Sequence, residues 1–388
     1  MPTLNLPCPD GTLAAYTTGE PRGFAATPTR PFNRVALAAA HVVADPLADA
    51  DPLLAPAVDW DRTIAFRRHL WRLGLGVAEA MDTAQRGGGL DWPTSLELIR
   101  RSVEAARDVP GAVVASGVGT DHLAPGSATT VDDVIAAYEE QCAAVEACGG
   151  RIILMASRAL AASATTPDDY VRVYDRILGQ VAEPVIVHWL GEMFDPLLAG
   201  YWGDDDHGRA MDTCLAVLEA NAAKIDGIKI SLLDKDKEIA MRRRLPDGMR
   251  MYTGDDFSFA ELIAGDDEGH SDALLGIFDA IAPAASAALA ALAGNRPAEF
   301  HDILGPTVAL SRHIFQAPTR FYKTGIVCMA YLNGHQDHFV MVGGEQSARS
   351  IVHLAELFRL ADQAGLLSDP YLAAERMARV LAVHGIAA

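Results

Sequence analysis

A lysine inside an apolar strand is the residue in this sequence with the most chemistry to offer. Lys229 stands between Ile228 and Ile230 in IDGIKISLL, so a strand here carries its ammonium group away from water. Burial disfavours the charged form, lowers the pKa and leaves an amine able to attack a carbonyl carbon. The same setting also suits a lysine ion-paired with a carboxylate such as Asp82 or Asp255, which would keep its charge. His188, in PVIVHWL, is a candidate proton carrier because an imidazole titrates near neutrality. A histidine at a strand end can equally be a hydrogen-bonded core residue.

These side chains need a scaffold, and the hydropathy pattern describes one. From Arg34 onward, short apolar runs alternate with amphipathic stretches, the signature of repeated βα units and a parallel sheet. The runs fall at 34–42, 76–82, 111–117, 151–157, 184–190, 225–231, 249–255 and 269–275. Continuous apolar runs suit strands buried on both faces. Helix signals lie between them: Pro93 opens one, and Thr166-Pro167-Asp168-Asp169 supplies a cap, a first-turn proline and an acidic first turn. The reading is an α/β protein, a (β/α)8 TIM barrel over 34–294, with a proline-rich N-terminal arm over 1–33 and a C-terminal helical extension over 295–388. In such a barrel the active site lies where strands end, which nominates Asp82, Thr83, Arg86, Ser116, Tyr252 and His270 as substrate-binding residues beside Lys229 and His188.

The IDGIKIS segment resembles the sixth strand of the dihydrodipicolinate synthase / N-acetylneuraminate lyase family, class I aldolases whose glycine-apolar-lysine segment carries a Schiff-base lysine. MYTGDD and the stretch after it resemble that family's seventh strand, eighth unit and following helices. PVIVHW is similar to its fifth strand, so that His188 takes the place of the tyrosine that relays protons. The likeness runs from about 34 to 315, and HWLGEMFDP and NGHQDHF make the chain similar to a bacterial, DUF993-like branch of that family. The resemblance implies a cytoplasmic homo-oligomer in which Lys229 forms an imine with a small-molecule carbonyl substrate, without a cofactor. Two departures bear on the substrate. The family's Gly-Thr-Thr-Gly-Glu loop reads MDTAQRGGGLDW here, retaining Thr83 and offering Arg86 with the glycines at 87–89 as another anion site, and its second tyrosine is replaced by Ser157-Arg158.

A different chemistry would use His41, Glu79, His188 and His270 to hold a divalent metal that polarises a sugar-like carbonyl compound toward an enediolate, making a metal-dependent lyase or isomerase. His335, Asp337 and His338 are further candidates for a lid or a metal contact, and a solvent-facing loop explains them as well. Composition excludes more than it selects. With 32 basic and 51 acidic residues the net charge is −19, which argues against nucleic acid or an anionic membrane surface as partner. The five cysteines show no paired spacing, and the N-terminus no basic-then-apolar leader, so a cytoplasmic location is expected.

Overall fold

The computed structural model describes all residues of the chain except Ala26, Thr29, Pro125, Ser127 and Ala388. Eight parallel strands close into a barrel: β1 Ala36–Ala39, β2 Gly76–Glu79, β3 Val114–Val118, β4 Arg151–Leu154, β5 Val185–Leu190, β6 Ile225–Ser231, β7 Arg250–Thr253 and β8 Asp272–Leu275, with β8 pairing back onto β1. Each lies within or beside the apolar run that marks it in the sequence. Side-chain alternation divides every strand into an inward and an outward set. Leu37, Ala78, Ala115, Ile153, Ile186, Tyr252 and Leu274 fill the barrel interior, while Val77, Val187, Ile228 and Met251 face the helices.

Helix starts follow the chemistry of their caps. Asp91 accepts the Thr94 N–H ahead of the helix Trp92–Arg107, and Thr166 with Asp169 forms a reciprocal capping box at Pro167–Leu178. Among the described residues, no helix is long and apolar enough to cross a membrane.

The terminal segments meet each other. Strands Thr3–Pro7 and Leu13–Thr17 form an antiparallel hairpin, and the Tyr16 hydroxyl within it and the Gly19 N–H beyond it both donate to Asp362, at 2.7 and 2.9 Å. Asp362 belongs to the helix Ile351–Gln363. The apolar stretch after Pro318 forms another helix, Tyr322–Leu332, in which every residue but Lys323 is buried. A helix apolar on all sides belongs inside a protein. A side chain at Gly325 would stand 3.0 Å from Ile314 and 3.2 Å from Leu357, so glycine lets the neighbouring helices close around this one.

Two of the candidate metal ligands are committed to the frame. Glu79 points outward from β2 and accepts two 2.9 Å bonds from Arg67, and it also accepts from the Ser102 hydroxyl. Both partners of this ion pair are fully buried. His41, past the end of β1, bonds through its backbone N–H and Nδ1 to Asp279 Oδ2, each at 2.7 Å, and its ring lies 4.4 Å from that of Phe66.

Removing one member of a buried ion pair strands the other. Arg67→Met is therefore expected to cost roughly 3–5 kcal/mol in denaturant unfolding, and Arg67→Met/Glu79→Leu to recover a large part of that loss. A single variant within about 1 kcal/mol of the native chain would contradict the assignment.

Candidate active site

Register places Lys229 at the centre. It pairs with His188 on β5 and with Tyr252 on β7, and the alternation that turns Ile186 and Tyr252 inward turns His188 and Lys229 inward as well. Lys229 is 7% exposed and makes no ion pair within 4 Å among the described residues. Gly254 makes room for it, since a Cβ there would stand 2.7 Å from Lys229 Cε. His188 Nε2 lies 3.2 Å from the Ser231 hydroxyl, and its Nδ1 is buried without a partner.

Loops after the strands bring acids and a phenol to this centre. Ala80 adopts a φ of +52° where the chain leaves β2, an uncommon conformation for a residue with a side chain. The turn that follows, Asp82–Ala84, carries Asp82 and Thr83. Thr83 Oγ1 lies 2.8 Å from the hydroxyl of Tyr322, at the start of the helix Tyr322–Leu332. Beyond β7, Asp256 is buried with Oδ1 accepting the Ile277 N–H at 2.9 Å.

Electrostatics reinforce one another here. Burial lowers the Lys229 amine from its ordinary range, opposed by Asp82 and then Asp256. Burial raises the Asp256 carboxyl, opposed by the Ile277 N–H and by Lys229. His188 is pushed well below the usual imidazole range by burial and by Lys229, so it is a neutral ring rather than the near-neutral titrant expected from its type. Burial, followed by Asp82, pushes the Tyr322 phenol far up, which keeps its proton in place.

The mouth is a cavity of about 80 Å³ bounded by Asp82, Arg86, Thr120, Arg158 and His188, adjoining a second of about 400 Å³ that reaches Tyr322 and Lys323. Polar groups at this end of a barrel are where its chemistry is expected.

Other candidates stand elsewhere. Tyr252 fills the interior with its ring, but its hydroxyl donates to Asp226 at 2.5 Å, near the N-terminal end of β6. Ser116 faces outward, because its neighbour Ala115 is the inward residue of β3, and its hydroxyl is buried without a partner. His270 precedes β8, and a parallel strand begins on the face opposite the mouth; Arg34, Arg242 and Arg250 lie around it. Arg86 reaches the cavity wall but is engaged with Asp121 at 2.7 Å and with Gln141, under the Trp92 ring. His41, Glu79, His188 and His270 therefore do not converge, and among the described residues no group of three or more His, Cys, Asp or Glu side chains is arranged to hold a metal ion.

The NGHQDHF residues are also apart from the mouth. The His335 ring lies 4.6 Å from that of His69, tilted by 46°, its pKa lowered by burial to about 3; Asp337 pairs with Arg376 at 3.2 Å; and His338 Nδ1 accepts the Val340 N–H. Tyr322 and Asp256 are not among the residues that strand position nominates. Asp256 carried a signal in the acidic pair of MYTGDD, whose other member, Asp255, instead caps the Phe257 and Ser258 N–H groups.

The family model described as "Protein of unknown function (DUF993)" matches residues 4–386. The chain belongs to the DUF993 family. No curated protein matches its sequence. Among solved structures it is similar to YagE, a prophage protein of the dihydrodipicolinic acid synthase family from E. coli K12 in complex with pyruvate, with a TM-score of 0.66 at 13% identity over 86% of this chain and 99% of that one. Dihydrodipicolinate synthase from Aquifex aeolicus gives 0.64 at 12% over 86% and 99%. The chloride-inhibited enzyme from Acinetobacter baumannii, complexed with pyruvate, gives 0.62 at 17% over the same shares. This DUF993 member thus has a dihydrodipicolinate-synthase-like TIM barrel.

The charges around Lys229 predict how its reactivity responds to mutation. Because Asp256 favours the ammonium form, Asp256→Asn is expected to lower further the pH at which Lys229 is half-modified by cyanate, read by peptide mass spectrometry. A shift to higher pH would contradict this arrangement.

Proposed function

We propose that this DUF993 member is a class I lyase that makes or breaks a carbon–carbon bond, or dehydrates, a small carbonyl substrate through an imine on Lys229. The observation that carries the reading is the inward Lys229 amine, depressed by burial and set beside His188, Asp82 and Asp256 at the C-terminal end of the strands. The dihydrodipicolinate-synthase-like neighbours support it through a shared fold.

The chemistry follows from the charges. The free amine of Lys229 adds to the carbonyl carbon, forming a C–N bond, and the carbonyl oxygen becomes a hydroxyl. Water leaves when that hydroxyl takes a proton, and the protonated imine remains. Asp256, raised by burial, is placed to supply the proton. The iminium draws electrons from the adjacent carbon, so an enamine forms when that carbon gives up a proton, or when its bond to a hydroxyl-bearing carbon breaks and the fragment leaves as a carbonyl compound after losing its hydroxyl proton. In the dehydrating case the enamine then expels a hydroxyl from the next carbon as water. Neutral His188 can accept a proton, and the Thr83–Tyr322 pair offers a hydroxyl chain at the mouth. No cofactor is required by this sequence of steps.

Enamine formation has a direct readout in heavy water. The native chain should catalyse deuterium uptake at the carbon next to the carbonyl in at least one member of a panel containing pyruvate, dihydroxyacetone and other small ketones, followed by proton NMR. Lys229→Ala and Lys229→Arg should both abolish uptake, since a guanidinium stays protonated and forms no imine. His188→Gln and Tyr322→Phe should slow it by about 10²–10⁴, the usual worth of general acid–base help. Uptake retained by Lys229→Arg would remove the proposal.

A further inference from the structure

The larger cavity at the mouth is lined by cations that the imine chemistry does not use. Arg158 opens the short helix Arg158–Ser163 after β4, while Arg320 and Lys323 flank Tyr322 in the segment TRFYK. They gather at a glycine turn. A Cβ at Gly87 would stand 3.3 Å from the Arg158 guanidinium, and one at Gly88 would stand 3.1 Å from Glu345 Oε1 and 3.9 Å from Lys323 Nζ. The geometry points to a subsite for a distal anionic group of the carbonyl substrate, a phosphate or a carboxylate, formed by the Gly87–Gly88 turn with Arg158, Arg320 and Lys323; this rests on the reading of Lys229 as the imine-forming residue.

Three carboxylates also line this cavity, and their engagements leave cationic charge over. Asp195 pairs with Arg158 through Nε, and the other end of that guanidinium turns to Gly87. Glu345 accepts from the Gln85 amide at 3.1 Å, and burial raises its pKa against the pull of Lys323. Asp82 acts on Lys229. Arg320 has no carboxylate partner among the described residues and rests over the Phe321 ring at 4.9 Å. In a chain with a net charge of −19, the general field repels anions, so an anionic substrate needs local cations at the entrance. Phosphate and carboxylate groups are matched by guanidinium and ammonium donors presented around a turn. The same TRFYK segment delivers Tyr322 to Thr83, so an anion held by Arg320 and Lys323 also holds the hydroxyl pair in place.

Isothermal titration of the whole chain with inorganic phosphate, and separately with acetate, reads this subsite without involving the imine. Phosphate or acetate should bind the native chain, and Arg320→Ala/Lys323→Ala should weaken the preferred anion at least tenfold. Equal binding by the double variant, or no binding of either anion by the native chain, overturns the subsite. Deuterium exchange then links it to catalysis. Dihydroxyacetone phosphate should exchange with a kcat/KM at least tenfold above dihydroxyacetone if the group is a phosphate, and 4-oxopentanoate similarly above butanone if it is a carboxylate; the double variant should bring that ratio toward one. Equal exchange of the charged and uncharged members of both pairs by the native chain also overturns it. Absence of exchange from all four, with phosphate or acetate binding intact and lost in the double variant, counts against the imine and supports the subsite.

Discussion

A lysine amine surrounded by barrel strands loses most of its hydration, and everything at the mouth of this barrel is arranged around that loss. Burial alone would drive Lys229 to the neutral amine. Asp82 and Asp256 pull it back, and His188 answers the shared charge by remaining neutral. The balance requires the direct pairing of β5, β6 and β7, which sets His188 and Lys229 side by side and turns both inward. It also requires Gly254, whose missing side chain is where the lysine stem runs.

The C-terminal helices serve the same centre. The helix Tyr322–Leu332 is buried along nearly its whole length, and its first residue supplies the phenol that meets Thr83. Arg320 and Lys323, beside that residue, stay at the entrance. Apolar packing of this helix thus fixes a hydroxyl at the barrel mouth together with Lys323, and Arg320 stands in the turn just before it. The N-terminal hairpin reaches the same layer through Tyr16 and Asp362, tying the two terminal segments to each other.

The strands were legible because residues buried on both faces must be continuously apolar, and Lys229 was legible as the cation that breaks such a run. Facing was harder to read. In β2 and β3, Glu79 and Ser116 look like mouth residues by position, yet the inward residues are Ala78 and Ala115 and the polar ones turn to the helices. Strand direction alone places His270 on the opposite face, since it precedes β8. Arg86 looked free because nothing local reveals Asp121 and Gln141, which come from beyond β3 and from the helix Val131–Ala147. Tyr322 lies 239 positions from Thr83, and no periodicity connects residues so distant. Asp255 and Asp256 are adjacent and chemically identical; the backbone after β7 decides that one caps a turn and the other accepts the Ile277 N–H within reach of the Lys229 charge.

The account depends on a covalent bond between the Lys229 nitrogen and a substrate carbon. The most direct measurement is borohydride reduction of the protein in the presence of a carbonyl compound that it exchanges, followed by tandem mass spectrometry of its peptides. The predicted result is one adduct, on Lys229, with the mass of the reduced imine. Reduction that leaves the Lys229 peptide unmodified while exchange proceeds would contradict the central claim.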